Sequence, residues 1–471
     1  MKKPNLVYIL MDDMGYGDFK CQNPEGKIPT PHMDQLAQEG MRFSDAHSNS
    51  AVCTPTRYGI LTGNYAWRSR LKEGVLFGYD PPLIEPEVDT LPAFLQRNGY
   101  QTWCVGKWHL GLGWQLKQGE SIESGATPAE DQIDFSKPLT HSPNSVGFDY
   151  SWFISASLDM NPYCYIENYD IVTPPDATCP AVEGGLEVMR AGRCAPDFSP
   201  EQTMFHFKDK AVELIDQQGA DDPFFLYLPL TGPHTPVLPA PAFRGKSQAG
   251  PYGDFVMECD WIVGQVVEAL ERNGLQEDTL VIVTSDNGSS MERKVMLDEY
   301  GHKPNYIYRG RKSDIWDGGH RIPYVASWPN GIPAGTVCDQ SICLTDLYAT
   351  MVEILDQPIP ENAAVDSQSH LALLQGETES AAMREPIVHH SFHGEFAVRD
   401  GCWKAIFTNT SGGWSKVEID ENTPAGQLYD MQEDPEEKNN LWNEHPEIVA
   451  RIRSLLDGYQ SEGRSVVHAN K

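Results

Sequence analysis

Continuous apolar runs alternate along the chain with short polar clusters, and amphipathic stretches lie between them. Residues 5–11, Asn-Leu-Val-Tyr-Ile-Leu-Met, are almost wholly apolar and rich in strand formers. Such a run predicts a strand buried on both faces. It stops abruptly at Asp12-Asp13-Met14-Gly15-Tyr16-Gly17-Asp18. Thr30-Pro31 then supplies a helix start, threonine as cap and proline in the first turn, and Gly40 supplies the stop. The plan recurs from Asp89-Thr90-Leu91-Pro92 to Asn98-Gly99, and residues 101–105 return as strand. Two further apolar runs, 224–230 and 279–284, lead into Thr231-Gly232-Pro233-His234 and Ser285-Asp286-Asn287-Gly288. Between them an amphipathic helix is predicted from about Asp254 to Arg272, closed by Asn273-Gly274.

Helix, glycine stop, apolar strand and polar cluster, repeated, describe an α/β fold with a large, mostly parallel central sheet and helices on both faces. In such sheets ligands gather beyond the carboxyl ends of the strands. Four strands carry polar residues at that end: Asp12-Asp13, Lys107 with His109, His234, and Asp286-Asn287. Residues 115–200 read as irregular, and long loops inside a compact domain commonly rim a pocket. The pattern loosens again over 360–379, which sets expected domains at 1–375 and 376–471. The second is expected to be a smaller α+β unit with an antiparallel sheet. It has a hairpin of 395–398 and 402–407 around Asp400-Gly401, a strand at 427–430 and a closing helix at 447–456.

Charge narrows the partners. With 36 basic against 67 acidic residues the chain carries −31, which repels nucleic acid and anionic membranes. No apolar run reaches the length of a membrane span. Any anion site must therefore be a local basic pocket. After Met1-Lys2-Lys3 the apolar run is too short for a leader, so the expected location is cytoplasmic if Met1 is the native start. It is periplasmic or extracellular if a leader was trimmed. The ten cysteines include no Cys-x-x-Cys pair, which argues against structural zinc. Cys164, Cys179 and Cys194 share one loop-like region that has room for a disulfide.

The strand-end clusters offer the chemistry. Asp12, Asp13, Asp286 and Asn287 are oxygen donors without a Cys-and-His pattern, which suits calcium or, less well, magnesium. Lys107 and His109 are two residues apart, a spacing that shares one face in an extended segment. His234 lies between two prolines that restrict its loop. Residues 309–321 form a basic, glycine-bearing loop around Lys312. Finally, Cys53-Thr54-Pro55-Thr56-Arg57 precedes Ile60-Leu61-Thr62-Gly63, so a helix is expected to start near the cysteine. Unpaired N–H groups and the positive dipole end at a helix start favour an anion or a nucleophile.

Taken together, Asp-Asp-x-Gly-Tyr-Gly-Asp at 12–18, Cys-x-Pro-x-Arg at 53–57 with Leu-Thr-Gly after it, Gly-Lys-Trp-His-Leu-Gly at 106–111, Ser-Asp-Asn-Gly at 285–288 and Lys-x-x-x-x-Asp-Gly-Gly at 312–319 resemble the type I sulfatases of the alkaline phosphatase superfamily. The stretch 252–260 looks most like the arylsulfatase A and N-acetylgalactosamine-6-sulfatase branch. One departure is Thr56, which stands where that pattern has serine and keeps the hydroxyl. The resemblance implies a formylglycine made from Cys53 by a formylglycine-generating enzyme, its hydrate acting as nucleophile on a sulfate monoester. Calcium would be held by Asp12, Asp13, Asp286, Asn287 and the modified Cys53. Arg57 and Lys107 would hold the formylglycine and the sulfate, and His109 would serve the hydrate. His234 and Lys312 would grip the ester, and Ser157 would add a sulfate contact. A sulfated carbohydrate or aryl sulfate is the expected substrate. Alternatives are a phosphomonoester or phosphonate monoester hydrolase on the same scaffold, and a non-catalytic binder of sulfated glycans.

Overall fold

The structure is a computed structural model that describes residues 3–123, 125–219, 222–377, 381 and 383–468. The expected continuous strand spans Asn5–Asp12, and its alternate side chains feed two separate cores. Leu6, Tyr8 and Leu10 enter one, and Val7, Ile9 and Met11 the other. Six such side chains at roughly 2 kcal/mol each match the whole net stability of a typical domain, so this strand belongs at the centre. There it pairs in parallel with Phe224–Pro233 on one side and Thr279–Ser285 on the other.

Ten strands make the main sheet, in the order Thr336–Cys338, Met41–Phe43, Tyr324–Ser327, Thr279–Ser285, Asn5–Asp12, Phe224–Pro233, Gln101–Lys107, Tyr150–Ile154, Ile166–Glu167 and Asp170–Ile171. Helices Cys53–Thr62, Leu91–Arg97 and Leu347–Ile354 cover the face reached by Tyr8. Helices Pro31–Glu39, Thr203–Asp216 and Gly250–Arg272 cover the face reached by Ile9. The α/β architecture expected from the alternation is thus present. A four-stranded antiparallel sheet follows: Ile387–His390, Phe396–Asp400, Trp403–Ile406 and Gln427–Asp430. Helix Pro446–Glu462 packs on it through Ile452 and Leu456.

Several details differ from the sequence reading. The long helix begins at Gly250, because Pro251 fits a first helical turn as well as Thr30-Pro31 does. Residues 115–200 are not irregular throughout, since Tyr150–Ile154 joins the sheet beside Gln101–Lys107. The same stretch holds a disulfide, Cys179–Cys194, while Cys164 is a buried free thiol. Within 360–379, Leu371–Leu374 is helical, and Thr378 and Glu379 lie outside the described residues, as do Met1 and Lys2.

Candidate active site

The carboxyl ends of the central strands meet the helix Cys53–Thr62. Cys53 is its first residue, and Gly63 ends it in the left-handed region at φ 66°. Every residue of this helix is buried. The Thr56 hydroxyl is occupied, donating to the Ser50 carbonyl at 3.1 Å. Gly106 permits a close crossing, because a Cβ there would lie 2.0 Å from the Pro229 oxygen. That crossing packs the strand carrying Lys107 tightly against the strand that leads to His234.

Asp12, the last residue of the central strand, accepts Lys107 Nζ at 2.7 Å and Arg57 Nη2 at 3.4 Å. Arg57 also donates through Nε and Nη2 to Asp286 Oδ2, at 3.1 and 2.7 Å. Its Nη1 reaches the Lys107 carbonyl at 3.1 Å. Lys312 Nζ lies 2.7 Å from Asp13 Oδ1 and 3.3 Å from Cys53 Sγ. Cys53 Sγ is 3.5 Å from Asp12 Oδ1. Asn287 Nδ2 donates to Asp13 Oδ1 at 2.8 Å. Ser157 Oγ stands 3.3 Å from both Lys107 Nζ and His234 Nδ1. One cluster therefore gathers Asp12, Asp13, Cys53, Arg57, Lys107, Ser157, His234, Asp286, Asn287 and Lys312. The cations expected of an anion site in an acidic chain, Arg57, Lys107 and Lys312, are gathered here against an equal number of carboxylates.

His109 stands slightly apart. The strand ends at Lys107, and His109 adopts φ 60°, so the expected shared face with Lys107 is broken. Its Nε2 donates to the Leu76 carbonyl at 2.7 Å, which leaves Nδ1 as a buried acceptor with no partner among the described residues. Asp13 likewise sits at φ 64°, a costly conformation for a residue with a Cβ. Its backbone N–H is held by Asp286 Oδ1 at 3.2 Å and the next one by Ser285 Oγ at 2.9 Å.

Electrostatics follow from burial and crowding. Burial pushes the Asp12 carboxyl up, but Lys107, His234, Arg57 and Lys312 together outweigh it and hold it well below the usual range. Burial raises the Cys53 thiol despite Lys107 and Lys312, so an unmodified Cys53 stays protonated and is a poor nucleophile. Burial, then Lys107 and Arg57, push His109 far down, and it is neutral. His234 Nδ1 must donate to the Thr235 carbonyl at 2.5 Å, so its Nε2 faces Asp13 at 3.7 Å. Asn287 Oδ1 is buried and has no hydrogen-bond partner among the described residues. Ligand atoms of Asp12, Asp13, Cys53 and His234 all fall within 4.8 Å of one another. The two carboxylates of this set suit a hard dication, and Cys53 would join them as an oxygen donor only once its sulfur has been replaced.

Reading the sequence missed three contributors. Asp18 accepts Tyr252 Oη at 2.5 Å and His302 Nε2 at 2.8 Å, bracing the turn after Asp13. Arg309 is no solvated cation: it stacks on Trp316 at 3.8 Å and donates to Tyr429 Oη and the Glu437 carbonyl. Trp414 arrives beside Lys312 from the connection between Trp403–Ile406 and Gln427–Asp430, and no local pattern around Gly412-Gly413 announces it.

Comparison with known proteins gives a consistent picture. The Sulfatase family model matches residues 4–357, and the model for the N-sulphoglucosamine sulphohydrolase C-terminal region matches residues 311–462. An N-acetylgalactosamine-6-O-sulfatase of Bacteroides thetaiotaomicron is 33% identical over 98% of this chain and 94% of its own length. Human arylsulfatase A is 30% identical over 96% of this chain and 87% of its own. A solved structure from work on glycosaminoglycan metabolism by Bacteroides thetaiotaomicron superposes with a TM-score of 0.83 at 32% identity. It covers 98% of this chain and 100% of that one.

Proposed function

Because this chain belongs to the sulfatase family and is a sulfuric ester hydrolase, we propose that it removes sulfate from a sulfated carbohydrate, with a formylglycine made from Cys53 as nucleophile. The 6-sulfate of an N-acetylgalactosamine residue is the first candidate, supported by the 33% identity to an enzyme named for that activity. The observation that carries the reading is the placement of Cys53 at a helix start, with Lys312 3.3 Å from its sulfur and Asp12 at 3.5 Å. A formylglycine-generating enzyme would act before folding is complete, since Cys53 is buried in the finished fold.

On this reading Asp12, Asp13, Asp286 and Asn287, with the modified Cys53, hold calcium. When bound, the ion would polarise the sulfate oxygens and offset their charge. Magnesium fits less well, because it keeps several waters that a buried cradle would have to strip. Arg57 and Lys107 hold the modified residue and the sulfate by charge. Ser157 adds a hydroxyl beside Lys107. Lys312 and His234 keep a little exposure, 5% and 8%, so the ester is expected to enter on their side. One of them passes a proton to the departing alcohol. His109, neutral and with Nδ1 free to accept, takes the proton of the aldehyde hydrate.

The described residues contain no helix long and apolar enough to cross a membrane. A periplasmic or extracellular location is supported by the Cys179–Cys194 disulfide, which persists in oxidising compartments. The test is a sulfate-release assay on matured protein across sulfated mono- and oligosaccharides, with aryl sulfates, phosphate monoesters and phosphonate monoesters in parallel. Sulfate release from a 6-sulfated hexosamine is expected. Preference for a phosphorus ester, or saccharide binding without release, would overturn the proposal.

A further inference from the structure

Trp414 is 44% exposed, an unusual position for the largest apolar side chain. Its backbone is nevertheless fixed. The Trp414 N–H donates to Ser313 Oγ at 2.9 Å, and Ser415 gives both its N–H and its hydroxyl to Asp314. One edge of the indole meets Phe392 at 5.8 Å, and the ring centroid lies 6.0 Å from Lys312 Nζ. Lys312 in turn touches the sulfur of Cys53. A half-exposed indole on a fixed backbone thus stands one side chain beyond the charged cluster, beside Lys312, which keeps 5% exposure itself.

We infer that Trp414 is a specificity-determining residue, whose indole stacks on the apolar C–H face of the pyranose ring that carries the sulfate. A sugar ring offers such a face together with hydroxyls, which suits an aromatic surface flanked by polar groups. The inference rests on the carbohydrate reading above. The test compares wild type, Trp414→Ala and Trp414→Phe, all matured, in steady-state hydrolysis of N-acetylgalactosamine 6-sulfate. Competitive inhibition by inorganic sulfate serves as a gauge of the charged cluster alone. Trp414→Ala should raise KM roughly tenfold, the scale of one aromatic contact, while kcat and the inhibition by sulfate hold. Trp414→Phe should restore most of the loss. An unchanged KM in Trp414→Ala overturns the inference. So does a parallel weakening of sulfate inhibition, which would mean that the indole only steadies Lys312. A wild type active on an aryl sulfate but on no sulfated saccharide removes the carbohydrate reading, and the sugar platform goes with it.

Discussion

Lys312 and Asp317 lie on one loop, yet they belong to two different buried charge clusters. Around Lys312, three carboxylates (Asp12, Asp13, Asp286) face three cations (Arg57, Lys107, Lys312). Around Asp317, three carboxylates (Asp45, Asp317, Glu437) face Arg321, Arg399 and Lys404. Both clusters are deep, balanced in charge and supplied with histidines. What separates them is how completely the central lysine of each is enclosed. Lys404 uses its ammonium on Asp317, Glu437 and His320, at 2.7, 2.8 and 3.0 Å, and all four residues are fully buried. Among the described residues, Lys312 has one carboxylate and one thiol, and an edge to solvent. His47, His320 and His389 approach one another, but His320 and His389 stack at 3.6 Å with planes 11° apart. Lone pairs lie in the ring planes, so these two cannot converge on one ion. The closed cluster fastens the C-terminal sheet to the loop, and the open one is left able to meet a ligand.

Removing the nucleophile should produce the widest split between the clusters. Cys53→Ala is expected to lower sulfate release by roughly a thousandfold or more, with a stability change of only ~1 kcal/mol. Lys404→Met should do the reverse first, costing about 3–5 kcal/mol by leaving buried carboxylates unpaired. Sulfate release and denaturant unfolding on both proteins check this. Comparable activity in Cys53→Ala and wild type would end the formylglycine reading.

Calcium offers the next separation. A ligand bound only by the folded state stabilises it by ~2.7 kcal/mol at a hundredfold excess over Kd. Wild type and Lys404→Met should both gain thermal stability with calcium, and Asp286→Ala should gain none and lose turnover. A calcium response that survives in Asp286→Ala would move the metal elsewhere.

Much of the open cluster was legible because it hangs on local signals. The apolar run 5–11 announced a central strand, and Asp12-Asp13 had to follow its carboxyl end. Cys53 was expected near a helix start and is the first helical residue. Two three-residue strands were not legible: Met41–Phe43 and Thr336–Cys338 are too short for a period to register. Tyr150–Ile154 was hidden inside a stretch with loop composition. The closed cluster was invisible for another reason. Lys404 and Glu437 belong to different parts of the C-terminal unit, and only its antiparallel pairing brings them to Asp317. Charge pairing over such separations leaves no periodic trace.

The basic loop sharpens the contrast residue by residue. Lys312→Ala should lower the rate roughly a hundredfold, as loss of a charge stabiliser does, with calcium binding retained. Arg309→Ala should change the rate by less than about threefold while lowering the unfolding midpoint, because Arg309 ties the loop to Tyr429 and Glu437. Equal rate losses would mean that the loop attracts substrate by its charge as a whole.

Acidity gives the smallest effect, and Glu437 places it in the closed cluster. Glu437 is pushed up to about 7, by burial first, with Asp317 adding to the rise and Lys404 opposing it. In an unfolded chain the same carboxyl titrates near ~4.3. Between about pH 4 and pH 7 the folded state therefore binds a proton that the unfolded state does not. The stability this contributes is fully present below the unfolded value and is lost as pH rises through about 7. Wild type at fixed calcium should thus gain on the order of 1–3 kcal/mol from this group between pH 8 and pH 5. Glu437→Gln keeps the shape, cannot titrate, and should lack that part of the slope. The carboxylates held low, Asp45 and Asp317, work in the opposite direction only below the ordinary carboxylate range. His47, His320 and His389, kept below the ordinary imidazole range chiefly by burial, oppose the gain inside this window. The difference between wild type and Glu437→Gln therefore carries the Glu437 part. Denaturant unfolding of both proteins at pH 8, 6.5 and 5 decides it. Superimposable pH profiles would show that Glu437 stays ionised against Lys404, and the closed cluster would then be held by charge at every pH in that range.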